Sequence, residues 1–319
     1  MPAAAGARER HEPRGAGILG ASVAAALLFS VALLVPVLFL IAAVSPFPLI
    51  VQRLKRSLGS ALAAALLSAA LLAGAFSAGQ ALTFLLVLAL PGLLIGEAMA
   101  RGRGMLKGCG WAFTLLASEI CAGLVFAGPR LADQVVLEPL AQYRSPQFLE
   151  EMRSTGLPPE RVDDWAEQFA MLQRAMEVVY PAAFLILGAL VVLANAGLLR
   201  AYLVRRDPGW LEGGEFEGIR WPFGMALAFV ASGALVVVPA LRAAGYNLLL
   251  LVAFFFALQG LAVVAYYAHR LAGPPLLRAV VLLLVLVNPW APQILALLGL
   301  FDTWFDFRKW AQIPPAGGR

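Results

Sequence analysis

The side chains in this 319-residue chain that could do chemistry are few, and most sit in apolar surroundings. A charge at mid-bilayer costs about 2.5–3.5 kcal/mol on insertion scales, so a carboxylate inside an apolar run marks a polar contact. Glu119 is the clearest case, ten residues into the run 109–126 with Ser118 beside it and Thr114 five positions before. Its partner is either a ligand or another helix. Glu97 lies four residues before Arg101 near the end of a run, a spacing that favours an ion pair at the interface. Asn195, Gln259 and Asn288 stand within or near further apolar runs, where an amide bridges helices with bonds worth roughly 0.6–2 kcal/mol. Glu119, Asn195, Gln259 and Asn288 are thus the candidate ligand-binding residues. No Ser–His–Asp set, HExxH motif or P-loop occurs, and Gly213-Gly214 is too short to cradle a phosphate. The histidines are His11 and His269 only, and the cysteines Cys109 and Cys121 stand about 18 Å apart along one helix, too far for a disulfide. The expectation is a protein that is not an enzyme, with no catalytic residues, no metal site and no cofactor.

The elements that must position these groups are membrane helices. The chain is 61% hydrophobic and 13% charged, with mean hydropathy +0.82, against about 25% charged in soluble domains. Several apolar runs of about 20 residues match the bilayer core. The class is all-α, a polytopic transmembrane helical bundle of about 8–9 spans with one amphipathic helical extramembrane insertion. The basic excess, 24 Lys and Arg against 19 Asp and Glu, is what cytoplasmic loops accumulate and does not imply nucleic acid.

Residues 1–16 read as a disordered polar tail. The apolar run 17–43 is longer than a signal-peptide core and reads as an uncleaved first span. Gly17, Ala21 and Ala25, with Gly20 and Ala24, form a small-residue stripe that lets a helix approach closely; it serves either internal packing or a partner subunit. Pro46 and Pro48 break the helix, leaving a short span or re-entrant piece before Arg53, Lys55 and Arg56. Apolar runs 59–78, 81–100 and 109–126 complete an N-terminal bundle, 17–127. Residues 128–176 are a polar insertion. Pro158-Pro159-Glu160 starts a helix, and Val162, Trp165, Phe169, Leu172 and Met176 recur at three- and four-residue steps. That amphipathic helix is expected to lie on the membrane surface or cap the bundle, and to be interrupted at Pro181. A C-terminal bundle, 177–310, holds runs at 182–203, 223–241, 246–268 and 276–300 and an interfacial tail; 311–319 reads as disordered.

The short segments 53–59, 101–107, 200–221 and 269–278 concentrate Lys and Arg, and can all face the cytoplasm. With 45–51 crossing, nine crossings put the N-terminus inside and 128–176 outside. The closing tail would then end outside despite Arg308 and Lys309, unless a kink at Asn288-Pro289-Trp290-Ala291-Pro292 makes the last segment re-entrant.

That tail, LGLFDTWFDFRKW, is the least generic stretch. As a continuous helix it puts Phe301, Trp304, Phe305 and Arg308 on one face and Asp302, Asp306 and Lys309 on another, an aromatic interfacial anchor with Asp306 and Lys309 paired. Together with SPFPLIVQRLKRSLG, VVYPAAFLILGALVVLANAGLLR and IRWP, it resembles the YybS-like family of uncharacterised bacterial membrane proteins over residues 20–310. Asp302, Trp304, Asp306 and Arg308 are the matching signature positions. That family is distantly similar to substrate-binding (S) components of energy-coupling-factor transporters. The resemblance implies a multi-pass protein of the bacterial cytoplasmic (inner) membrane. It also implies a small-molecule-binding or transport-associated subunit whose partners, besides the bilayer, are transporter transmembrane or ATPase subunits, met at Gly17, Ala21 and Ala25. The other reading is a membrane scaffold or assembly factor that captures a partner with 128–176.

Overall fold

The structure is a computed structural model, and it describes residues 14–35, 39–128, 130, 133–211, 216–270, 288 and 290–310. Every regular element among these is helical. Among the described residues six helices are long and apolar enough to cross a membrane, and Phe223–Val237 and Ala291–Phe305 are shorter apolar helices. The chain divides into two compact units, Met1–Glu119 with Gly188–Glu212, and Ile120–Leu187 with Gly213–Arg319.

The first unit opens with α1, Arg14–Leu34. Arg14 to Ala16, expected in the tail, already belong to it, while the tail positions 1–13 lie outside the described residues. The helix stops two residues before Pro36 instead of running to Ala43, since a proline disfavours helical backbone in the residue before it. A separate short helix, α2, covers Phe39–Ala43. Next come α3, Phe47–Lys55, and α4, Leu58–Ala75, which Ser57 caps through its hydroxyl. Pro48 is tolerated because it falls in the first turn of α3, where its missing N–H has no helical partner anyway. Small residues let α1 and α4 meet nearly backbone to backbone. The Ser22 hydroxyl donates to Ala64 O at 3.0 Å, and the Ser68 hydroxyl to Ser22 O at 3.1 Å. Around them Ala25, Ala61, Ala65, Phe29, Leu72 and Phe84 form the core.

Helix α5, Ala78–Ala100, contains a π-helical turn at Phe84–Ala89. The wider turn lies just before Pro91, which can neither donate to the preceding turn nor fit against its carbonyl. The next helix, α6, covers Met105–Ala127.

In the second unit, α7 (Glu138–Gln142) and α8 (Pro146–Ser154) fold against the start of α9, Pro159–Arg206. Tyr143 meets Phe148 and Phe169 at centroid distances of 5.4 and 5.1 Å, and Trp165 stacks on Phe169 at 5.0 Å. The expected interruption at Pro181 is absent: α9 continues through it for 48 residues, about 72 Å at 1.5 Å per residue. The reason comes from α11, Arg242–Arg270, which follows α10, Phe223–Val237. Asn247 of α11 accepts from Ala182 N at 2.9 Å and donates to Val178 O at 2.7 Å. Those are the donor and acceptor that an unbroken helix pairs with each other, so one side-chain amide bridges the step that proline disturbs.

The chain closes with α12, Ala291–Phe305, and α13, Phe307–Trp310. Helices α11 and α12 cross at Gly260 and Gly299. A Cβ built on Gly260 would stand 2.0 Å from Leu295 O, and one on Gly299 2.0 Å from Phe256 O. Only glycine permits that approach. Of the expected span 276–300, residues 276–287 and 289 lie outside the described residues.

Candidate functional site

Two buried clusters of charge stand among the described residues, one in each unit. In the first, Arg53 near the end of α3 and Arg101 just after α5 both donate through Nε to the Glu97 carboxylate, Arg101 at 2.6 Å. The Glu97 side chain is 11% exposed, so the carboxylate is satisfied by two guanidinium groups rather than by water. Arg53 reaches it because Gly92 and Gly96 leave a groove on α5. A Cβ on Gly92 would stand 2.8 Å from Pro46 Cβ, and one on Gly96 3.2 Å from Arg53 Cβ. The Arg101 partner was legible from the four-residue spacing. Arg53 was not, although the Gly92-xxx-Gly96 pattern is a readable signal for close helix approach.

The second constellation joins two of the distinctive sequence stretches, IRWP and the aromatic-charged tail. Asp302 on α12 has a fully buried side chain, and Arg308 is 4% exposed. Arg308 Nη2 donates to Asp302 Oδ2 at 2.6 Å and to Ile219 O at 2.9 Å, while Nη1 donates to Glu217 O. Gln259 of α11 donates to the same Asp302 oxygen at 2.9 Å and accepts from Trp221 N at 2.9 Å. The Trp221 indole donates to Phe255 O at 2.7 Å. Tyr266 and Tyr267 donate their hydroxyls to Arg308 O at 3.3 Å and Phe307 O at 2.5 Å.

This arrangement corrects the continuous-helix reading of the tail. The helix stops at Phe305, and Asp306 adopts a left-handed conformation with φ 45°. That single residue turns the chain back, so Arg308 points to Asp302 instead of joining Phe301 and Trp304 on an aromatic face. Phe307 N then caps Asp302 Oδ1 at 3.1 Å. Three donors to the Asp302 carboxylate and the carboxylate and carbonyl acceptors of Arg308 Nη1 and Nη2 offset much of the cost of burying both charges, while Arg308 Nε is buried without a hydrogen-bond partner among the described residues.

Outside this pair lies a more exposed layer. Asp306 takes a bidentate contact from Arg220, with Nη1 to Oδ2 at 2.7 Å, and a contact from Lys309 at 3.0 Å. Burial pushes the Asp306 carboxyl up, but the hydrogen bonds and charges of Arg220 and Lys309 outweigh it and hold the group below its ordinary value. Glu217 Oε1 and His269 Nδ1 lie 2.6 Å apart.

The four candidate ligand residues are not assembled into one pocket by either unit. Glu119 and Asn195 belong to the first, Gln259 and Asn288 to the second. Asn195 is buried and donates to Ala43 O at 2.7 Å and Val191 O at 2.9 Å. Gln259 is spent in the Asp302 network, and Asn288 is exposed, accepting from Trp290 N at 2.9 Å. Glu119 Oε2, like Asn195 Oδ1, is enclosed and has no hydrogen-bond partner among the described residues; the nearby Thr114 and Ser118 hydroxyls donate to carbonyls of their own helix. Of the small-residue stripe, Ala25 is buried in the core, Ala21 packs against it, and Gly17 faces the Arg56 guanidinium. Among the described residues no cluster of three or more His, Cys, Asp or Glu stands ready for a metal ion.

Searches of curated proteins and of solved structures find no match to the chain. The family described as Predicted membrane protein (DUF2232) matches residues 23–303. That range takes in both charge constellations except Arg308 and the other residues beyond position 303, and on this match the chain belongs to the DUF2232 family of predicted membrane proteins.

Proposed function

We propose that the protein is a small-molecule-binding or transport-associated subunit of the bacterial cytoplasmic membrane, similar to the S components of energy-coupling-factor transporters. The observation that carries this reading is the enclosed Oε2 of Glu119, without a hydrogen-bond partner among the described residues, in a helix apolar enough to span. A carboxylate so placed lacks the compensation that a buried charge needs, and a cationic or hydrogen-bond-donating ligand supplies it. Asn195 Oδ1, also enclosed and unpartnered, adds an acceptor in the same unit. Six spanning-length helices and two shorter apolar ones support a count of eight to nine crossings. The basic segments then lie in the cytoplasm, 128–176 lies outside, and an energising membrane or ATPase subunit is the partner.

The test is thermal stability of the purified protein across a panel of vitamins and metal ions. A ligand that stabilises the native protein and not Glu119→Gln is expected. The absence of any stabilising ligand, with no membrane or ATPase subunit co-purifying, overturns the reading.

One observation favours a scaffold instead. The first half of α9 leaves Trp165 and Leu172, seven residues apart on one face, 37% and 41% exposed, and the adjacent Met171 53% exposed, apolar surface on the insertion suited to a partner protein. On that reading Met171→Ser with Leu172→Ser abolishes capture of a cross-linked partner, and Glu119→Gln leaves capture intact.

A further inference from the structure

We propose that the basic end of the first unit is a binding site for the headgroup of an anionic phospholipid, independent of whatever the protein carries. Three connections converge there. Glu97 ties the end of α3 to the end of α5 through Arg53 and Arg101. Lys55 Nζ lies 5.8 Å over the ring of Tyr202 and so ties the end of α3 to the end of α9. The Arg56 guanidinium reaches the start of α1, with Nε 3.1 Å from where a Cβ on Gly17 would stand.

Residues 53–56, 101–107 and 200–206 each supply three Lys or Arg to this end, and the only carboxylates among its described residues are Glu97 and Asp207. Glu97 is already shared between two arginines, so positive charge is in large excess. Away from that end α1 runs out at Leu34 and the α4–α5 turn is Phe76-Ser77-Ala78, both without a charged residue, and α6 carries only the Glu119 carboxylate beyond Lys107 within this unit. A field so one-sided concentrates anions at one end of the helices only.

The basic end also has a shaped recess. A cavity of about 260 Å³ is lined by Met99, Ala100, Gly102, Gly104, Gly209 and Trp210, and Arg101 and Arg103 alternate with its lining residues along the loop. Gly102 and Gly104, at φ 67° and 78°, line it without a side chain. Arg103 lies 5.8 Å from the Trp111 ring. Indole and phenol rings beside the cations mark the depth at which membrane helices meet headgroups. These loops terminate membrane-spanning helices, which places the recess where phosphodiesters are the abundant anion. A soluble anion would have no need of that depth. The surface therefore fits an anionic lipid better than a free phosphate.

Each Lys or Arg near an anionic headgroup contributes about fivefold in affinity. Protein in a mild detergent is titrated with phosphatidylglycerol or cardiolipin, with phosphatidylcholine and with inorganic phosphate, reading thermal stability and lipid adducts by native mass spectrometry. Anionic lipid alone is expected to stabilise and to remain bound. The double substitution Arg103→Gln, Lys107→Gln weakens it roughly 25-fold. The charge-matched Arg161→Gln, Arg174→Gln on the insertion leaves it unchanged. Equal stabilisation by phosphatidylcholine or by inorganic phosphate overturns the proposal. So does equal weakening by the insertion variant.

Discussion

A single methyl group placed at Gly260 tests the reading of the second unit most directly. The Cβ of Gly260→Ala would meet Leu295 O at 2.0 Å, with Leu295 C at 2.8 Å and Cα at 3.0 Å. Ordinary contact needs more than 3 Å, so α11 and α12 must part by about 1 Å or one of them must bend. The obstacle is backbone on both sides, and no side-chain rotamer relieves it. Overpacking costs typically 1–3 kcal/mol, and a rigid clash of this kind belongs at the top of that range, about 3 kcal/mol. The neighbouring polar contact suffers too, because Gln259 Nε2 and Asp302 Oδ2 are 2.9 Å apart across the same crossing. Gly233 on α10 is the control, since nothing lies within 4 Å of its Cβ position. There the substitution is expected to be neutral or to stabilise by up to about 1 kcal/mol through helix propensity. The assay is the apparent melting temperature of detergent-purified protein, with monodispersity followed in parallel. Gly260→Ala should melt several degrees below Gly233→Ala. Equal melting of the two would refute the close crossing and the account of the network built on it.

Other expectations follow from the same geometry. Asp302→Asn or Arg308→Met alone leaves a buried charge uncompensated and should cost about 3–5 kcal/mol, while the double variant loses clearly less than the sum, read as a double-mutant cycle in denaturation. Because the Asp306 carboxyl is held below its ordinary value, its contacts with Arg220 and Lys309 are fully present above the ordinary carboxylate range and are lost as pH falls through the depressed pKa. Melting between pH 7 and 3 should therefore show an acid-side loss that Asp306→Asn removes, asparagine being able to keep the left-handed backbone. Asn247→Ala should cost about 1–3 kcal/mol by stranding Ala182 N–H and Val178 O. In a Pro181→Ala background the helix can close that bond itself, and the same substitution should become nearly neutral; an equal loss in both backgrounds would rule out the bridge.

The class of this protein was legible because hydropathy is a local property. Runs of about 20 apolar residues declare spanning helices wherever they occur, and Pro159 declares the start of α9 whatever lies around it. Glu97 with Arg101 was legible for the same reason, since partners one turn apart need no tertiary information. Tertiary structure decided the rest. Hydropathy says nothing about which carbonyl a guanidinium will find 89 residues away, as Arg308 finds Ile219. It expects Pro181 to interrupt a helix because the bridging amide stands 65 residues later, at Ala182 and Asn247. It sees a continuous helix in the tail because an aspartate is compatible with helix, and only the buried Asp302–Arg308 pair makes a left-handed turn at Asp306 worth its backbone cost. Composition and periodicity determined what the chain is made of and the medium it suits. The long-range hydrogen bonds and the glycine crossings, which depend on pairs of positions, determined which of its charges are spent on the fold and left the Glu119 oxygen without a partner among the described residues.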